Sequence, residues 1–172
     1  MQKSIVFALA AAAFVAGGAA RAQQQQNPLD AIPDQMPFDV AYGAPIALER
    51  ANAVVAAAEA EAKKRGWKMN ITIVDSGNNL VAFARMDGAQ LASIAISQHK
   101  AHSALLFRRE TKIFETAINS GSPYVMTLDG MIGSRGGVPL VEGGKIIGAI
   151  GVSGGTGSQD EVIAKAGAAS IK

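Results

Sequence analysis

The chain of 172 residues has no cysteine, and only 5% of it is aromatic. Without thiols it can build no disulfide frame, no thiolate zinc site, no iron–sulfur cluster and no covalently attached c-type haem. Charge is also sparse, at 17% Asp, Glu, Lys and Arg, and histidine occurs twice. A Gly-rich stretch is present but lacks the Gly-Lys-Ser/Thr ending of a P-loop, and no βαβ unit is available for a dinucleotide fingerprint. No serine stands out as a nucleophile and no pair of carboxylates as a general acid and base. What remains fits one compact domain with extra length at one end.

That extra length begins as a secretory signal. Lys3 supplies a positive start, residues 5–16 a short apolar core, and Ala20-Arg21-Ala22 an A-x-A cleavage site. The apolar core is short for a membrane span. Cleavage after Ala22 removes Lys3 and Arg21 and leaves 14 basic against 14 acidic residues. A neutral product gives no reason to expect nucleic acid or an anionic membrane surface as a partner, nor a stable membrane span once the signal is gone. The expected location is periplasmic or secreted.

Residues 23–43 read as a flexible tail, with a glutamine tract followed by Pro28, Pro33, Pro37 and Gly43. The alternative is an arm that docks on a neighbouring subunit through Ile32, Met36, Phe38 and Tyr42. The domain proper is expected over 44–172. A first helix is predicted from Pro45 to Arg65, with Leu48, Ala51, Val55, Ala58 and Ala62 as its apolar face and Gly66 as its stop. Residues 69–75, with Ile71, Ile73 and Val74, and 80–85, with Val81 and Phe83, read as strands around Ser76-Gly77-Asn78-Asn79, a hairpin turn. Asp87 and Gln90 have capping-box spacing before a second helix reaching about Arg108, with Leu91, Ile94, Ala101 and Leu105 as its core stripe. A short helix is predicted around residues 113–118. A second hairpin spans 138–152 around Gly143-Gly144, and a last helix starts at Ser158 with Glu161 completing a capping box. Two hairpins flanked by helices make an antiparallel sheet and an α+β fold.

Several of these segments together resemble one known family. Gly136-Gly137-Val138-Pro139-Leu140, residues 143–155 (from Gly143-Gly144-Lys145 to Ser153-Gly154-Gly155), Gln159-Asp160-Glu161 and Ala166-Gly167 closely resemble the GlcG/HbpS-like haem-degrading-domain family. Val74-Asp75, Leu80-Val81, Arg85-Met86-Asp87-Gly88-Ala89, Ser93-Ile94-Ala95 and Lys100-Ala101 resemble it too. The likeness covers roughly residues 44–170. It implies a profilin-like sandwich, homo-oligomers, and binding of haem or another tetrapyrrole in some members.

Seven glycines fall between Gly143 and Gly157. Gly148 and Gly151 inside a strand predict close approach by a helix, a second subunit or a ligand. The loop at residues 153–157 is either a tight strand-to-helix turn or an anion cradle.

Candidate binding residues cluster on the second helix. His99 and His102, spaced i,i+3, are about 60° apart on one face, and His102 lies nearer the expected core stripe. Imidazole suits haem iron; a plain metal would need a third ligand from elsewhere. Lys100, Arg108, Arg109 and Arg135 could pair with carboxylates such as haem propionates. Thr111 reads as a helix N-cap or a pocket rim.

The sequence thus predicts an exported oligomeric protein that binds haem or a related small ligand, with His102, His99, Lys100, Arg108 and Thr111 as candidate contacts and His102 as the candidate iron ligand. Two alternatives stay open: an accessory enzyme acting on a tetrapyrrole or hydroxy-acid metabolite, and a ligand-free oligomer that partners a redox or sensor protein.

Overall fold

The computed structural model describes residues 34–36 and 38–171. The expected signal segment and the tail through residue 33 lie outside the described residues. The elements run α1 (Leu48–Arg65), β1 (Asn70–Asp75), β2 (Leu80–Arg85), α2 (Ala92–Leu106), α3 (Lys112–Asn119), a 3-10 turn (Pro123–Thr127), β3 (Gly137–Glu142), β4 (Lys145–Ser153) and α4 (Gly157–Ala168). The strands form one antiparallel sheet in the order β2-β1-β4-β3. This is the expected α+β arrangement of two hairpins flanked by helices.

Strand pleating divides the sheet into two faces. Ile71, Ile73, Val138, Leu140, Ile150 and Val152 point toward α1 and α4, where Ala51, Val54, Ala58, Ile163 and Ala164 complete the main core. Burying each of the larger aliphatic side chains contributes about 1.5–3 kcal/mol. Asn70, Thr72 and Val74 point the other way, toward α2, where the apolar cluster is smaller: Val74, Ala101, Ala104, Leu105, Ile146 and Ala149.

The local signals act largely as read, with shifts. Gly66 ends α1 in the left-handed conformation at φ 69°, its N–H and that of Trp67 closing on Lys63 and Ala62 carbonyls. Pro45 lies ahead of α1 rather than in its first turn, and Val54, not Leu48, is on the buried face. Gly143 and Gly144 both have positive φ, as a primed hairpin turn requires.

Two predicted caps are corrected. Asp87 and Gln90 make no box; a turn through Gly88 (φ 76°) intervenes, and the Gln90 Nε2 donates to Ser93 Oγ at 2.8 Å. The box at α4 is Thr156 with Gln159, two residues upstream of the Ser158–Glu161 pair. There the Thr156 N–H donates to Gln159 Oε1 at 2.9 Å and Gln159 N–H to Thr156 Oγ1 at 3.3 Å. Glu161 is held elsewhere, by Lys112, Arg135 and Lys165.

The α2 stripe is also corrected. Leu91 is 69% exposed, Ile94 is half-buried, and the buried side is Ser93, Ser97, Lys100, Ala101, Ala104 and Leu105. Small residues are needed because α2 rides directly on the sheet. A Cβ on Gly151 would stand 2.0 Å from the Ser97 carbonyl oxygen and 2.4 Å from the Ala101 nitrogen. Of the three partners that the strand glycines left open, the helix is the one at Gly151. At Gly148 the close neighbours are instead the Val74 carbonyl on β1, 2.3 Å from the Cβ position, and Ile46.

Candidate ligand-binding site

The outward side of α2 carries both histidines. His99 is exposed and His102 half-buried, in the order expected from His102 lying nearer the core stripe. His102 Nδ1 lies 2.7 Å from Asn78 Oδ1 in the β1–β2 turn. Asn78 can be placed there because it holds φ 68°, a left-handed turn conformation that asparagine tolerates. An amide oxygen only accepts, so Nδ1 carries the proton and Nε2 keeps its lone pair. Burial, and then the charge of His99, lower the His102 pKa below its ordinary 6.5, so the ring is neutral at neutral pH. The result is an oriented imidazole with a free donor nitrogen.

The rim comes from two places. Leu106, one turn beyond His102, is exposed. The tail reaches the same helix end: Tyr42 Oη donates toward the Leu105 and Leu106 carbonyls (3.0 and 3.2 Å), and Val40 packs on the Val74–Leu105 cluster. Gly43 N–H donates to the Ile146 carbonyl and Ile146 N–H to the Ala41 carbonyl, both at 2.8 Å, making a parallel bridge to β4. Phe38 stacks under Arg109, whose guanidinium carbon is 3.4 Å from the ring centroid. Residues 38–43 are therefore seated on the domain. Arg108, left-handed at φ 55°, ends α2 and faces Asp39 at 3.6 Å.

Two of the expected contacts are interior. Lys100 is 1% exposed; its ammonium donates to Asp160 Oδ2 at 2.7 Å and to the Val152 carbonyl at 3.1 Å. Burial raises the Asp160 pKa more than Lys100 and the Gly154 and Gly155 N–H groups lower it. The Lys100 charge is thus matched inside the protein rather than offered to a ligand. Asp160 also answers the question of the Gly-rich loop: Gly155 N–H donates to Asp160 Oδ1 at 3.0 Å, so the loop is a turn whose anion is the chain's own carboxylate. Thr111 is fully buried and is not a side-chain cap; its Oγ1 accepts the Gly137 N–H at 3.0 Å and pins the α2–α3 junction to β3. Arg135 is held by Glu115 at 2.6 Å and Glu161 at 3.3 Å.

Gly151-Val152-Ser153-Gly154-Gly155 has the spacing of a nucleophile elbow at a strand-to-helix junction. Ser153 is buried, however, with its hydroxyl 3.0 Å from Ser93 Oγ and no histidine beside it among the described residues. Nor do three His, Asp or Glu side chains converge on a metal position among those residues. Sequence reasoning missed Asn78 as the partner of His102, an asparagine in a hairpin turn being the one available signal; Tyr42, read there as an anchor on a neighbouring subunit, bonds this chain's own α2.

Fold and site together define a small α+β domain with a single oriented imidazole on the helix that covers one sheet face. The chain belongs to the family described as haem degrading protein HbpS-like, which matches residues 46–169. It is 44% identical to Protein GlcG of Escherichia coli strain K12 over 105 residues, 61% of this chain and 78% of that one. Among solved structures it is similar to Klebsiella pneumoniae ORFY, at 28% identity and TM-score 0.70 over 81% of this chain and 96% of that one. It is equally similar to a double mutant of Streptomyces reticuli HbpS, at 27% identity and TM-score 0.70 over 83% and 97%.

Proposed function

We propose that this protein binds haem on the outer side of α2, with His102 Nε2 as the protein ligand to iron. The observation that carries the reading is the Asn78–His102 hydrogen bond, which directs the ring's lone pair outward, on a ring that burial and the charge of His99 keep neutral. Second-shell bonds of this kind orient and tune histidine ligands. The family description, haem degrading protein HbpS-like, supports the choice of ligand.

The residues present fit the group. His102 supplies the nitrogen, Leu106 and Tyr42 an apolar rim, and Arg108 a guanidinium suited to a propionate once it releases Asp39. Iron in the bound group would supply the coordination and redox chemistry. Lys100 and Thr111 contribute by fixing α2 on the sheet, so that His102 and Asn78 keep their register. The imidazole stands on an open surface, and a second copy of the chain closing over it would give a planar ligand its other wall. Such a homo-oligomer, exported by its leader to the periplasm or beyond, is the setting in which we place this binding.

Haemin titration tests the reading. The wild type should give a shifted Soret band. His102→Ala should abolish the shift, and His99→Ala should leave it. Asn78→Ala should keep the band but weaken binding by about 10–100-fold, the usual cost of losing a ligand's supporting bond. An unchanged spectrum in His102→Ala refutes the assignment.

A further inference from the structure

A cavity lies at the end of β1 away from the Asn78 turn. It has a volume of about 300 Å³ and is walled by Trp67, Lys68, Met69, Gln90 and Gln159, with Gly88, Gly154 and Gly155 at its closest approaches. Six strand residues separate it from the Asn78 turn, roughly 20 Å at about 3.3 Å per residue. That volume is at the small end of the range for ligand pockets, about 300–1,000 Å³, and suits a small metabolite.

The lining has one sign of charge. Lys68 is its only ionisable group, and Lys68 has no ion-pair partner among the described residues. Its ammonium is drawn in over Gly88, 2.9 Å from where a Cβ on that residue would sit, and Gly88 is left-handed at φ 76°. A longer residue there would displace the ammonium. Gln159 spends its Oε1 on the Thr156 N–H, which leaves its amide NH₂ as a donor. Gln90 spends its NH₂ on Ser93. The Trp67 ring supplies the apolar wall, with the fully buried Met69 behind it; Arg65, 5.0 Å from the Trp67 centroid, is paired with Glu61. Gly154 holds the walls together, since a Cβ on it would stand 2.3 Å from the Lys68 carbonyl oxygen and 2.8 Å from Met69 Sδ.

A further observation falls at the same end of the sheet. The Asn70 Nδ2 donates to the Gln90 carbonyl at 3.2 Å, while Asn70 Oδ1 is buried with no hydrogen-bond partner. Orphaned buried acceptors are rare in folded proteins, and this one belongs to a residue that adjoins Met69 and bonds Gln90, both of which line the cavity.

We propose that this cavity binds a small organic carboxylate, its anionic end on Lys68 and Gln159 and its short apolar end on Trp67. One positioned ammonium matches one negative charge, and the indole wall favours an organic anion over an inorganic one. The site is separate from the His102 face and does not depend on haem binding there.

The test uses ¹⁵N-labelled protein and three probes of differing charge and apolarity: butyrate, its neutral isostere butyramide, and inorganic phosphate. Butyrate should shift the Trp67 indole and Gly154 amide signals saturably, with a Kd on the order of 1 mM. In Lys68→Met the affinity should fall at least about tenfold, the loss expected for one charge-assisted hydrogen bond. The haemin response of that variant should be unchanged, which separates this site from the other. Butyramide or phosphate binding as well as butyrate overturns the proposed class. An absence of saturable shifts, or equal butyrate affinity in Lys68→Met with its spectrum otherwise folded, overturns the site.

Discussion

The two faces of the sheet are stabilised by different chemistry. Under α1 and α4 lie Ile71, Ile73, Leu140, Ile150 and Ile163, packed as an ordinary aliphatic core. Under α2 lie Thr72 and Ser97, joined at 2.9 Å, Ser93 and Ser153, joined at 3.0 Å, and the Lys100–Asp160 pair. Aliphatic packing tolerates small adjustments because its contacts are many and individually weak. The α2 face has fewer apolar contacts and depends on directional bonds between buried partners, where a single loss leaves a charge or dipole unsatisfied. The second face is also the one that positions His102. A helix seated by hydrogen bonds and by backbone contact at Gly151 has little freedom to slide, so Asn78 and His102 keep a fixed distance.

The largest expected effect comes from dividing the buried pair. Lys100→Met or Asp160→Asn should each destabilise the protein by about 3–5 kcal/mol in urea unfolding, because each strands a buried charge. The double variant should recover part of that loss, since no charge then remains uncompensated. Additive losses would mean that the two groups do not act as a pair.

The two faces can also be set against each other with one methyl group. Gly151→Ala forces α2 off the sheet, and its obstacles are backbone atoms; the cost should be about 3 kcal/mol or more. Gly167→Ala on α4 meets chiefly the Ile150 Cδ1, the far end of a side chain, at 2.7 Å. Its packing cost is partly offset by alanine's better helix propensity, and the net loss should be below about 1 kcal/mol. Thermal unfolding of the two variants gives the ordering, and equal losses would end the distinction between a rigid and a compliant face.

The smallest effect is one of pH. His102 has a folded pKa below 6.5, so the unfolded chain takes up this proton first. Its contribution to stability is complete above about pH 6.5 and is lost as acid titrates the ring through its lower folded value. Denaturation at about pH 7.5 and pH 5.5 should show a small acid-side drop that His102→Asn lacks. An identical drop in the variant would place the titration elsewhere.

Much of this architecture was legible because local rules act locally. The Gly143-Gly144 turn and the Gly66 stop were read from a few neighbouring residues and stand where they were read. The α2 face was not legible in the same way. Hydropathy favours Leu91 and Ile94, yet the side that meets the sheet is serine, alanine and lysine. An aliphatic stripe is recognised by its apolarity, whereas a hydrogen-bonded face reads as an exposed one until its partners are known. Lys100 is the sharpest case: on a helix wheel it is a solvent cation, and Asp160, 60 residues away, makes it an interior one.

From the residues alone came the family, the α+β class, the two hairpins, the histidine pair on α2 and the requirement for a close neighbour at Gly151. Those follow from spacing, turn chemistry and the size of missing side chains, which the chain carries within short windows. The tertiary structure decided that the neighbour is α2, that Lys100 and Thr111 face inward, that the glycine loop is occupied by Asp160, and that Asn78 fixes the proton on His102. Each of these is a pairing between residues distant in sequence, and a buried charge or a chosen tautomer has no definite energy until its partner is in place.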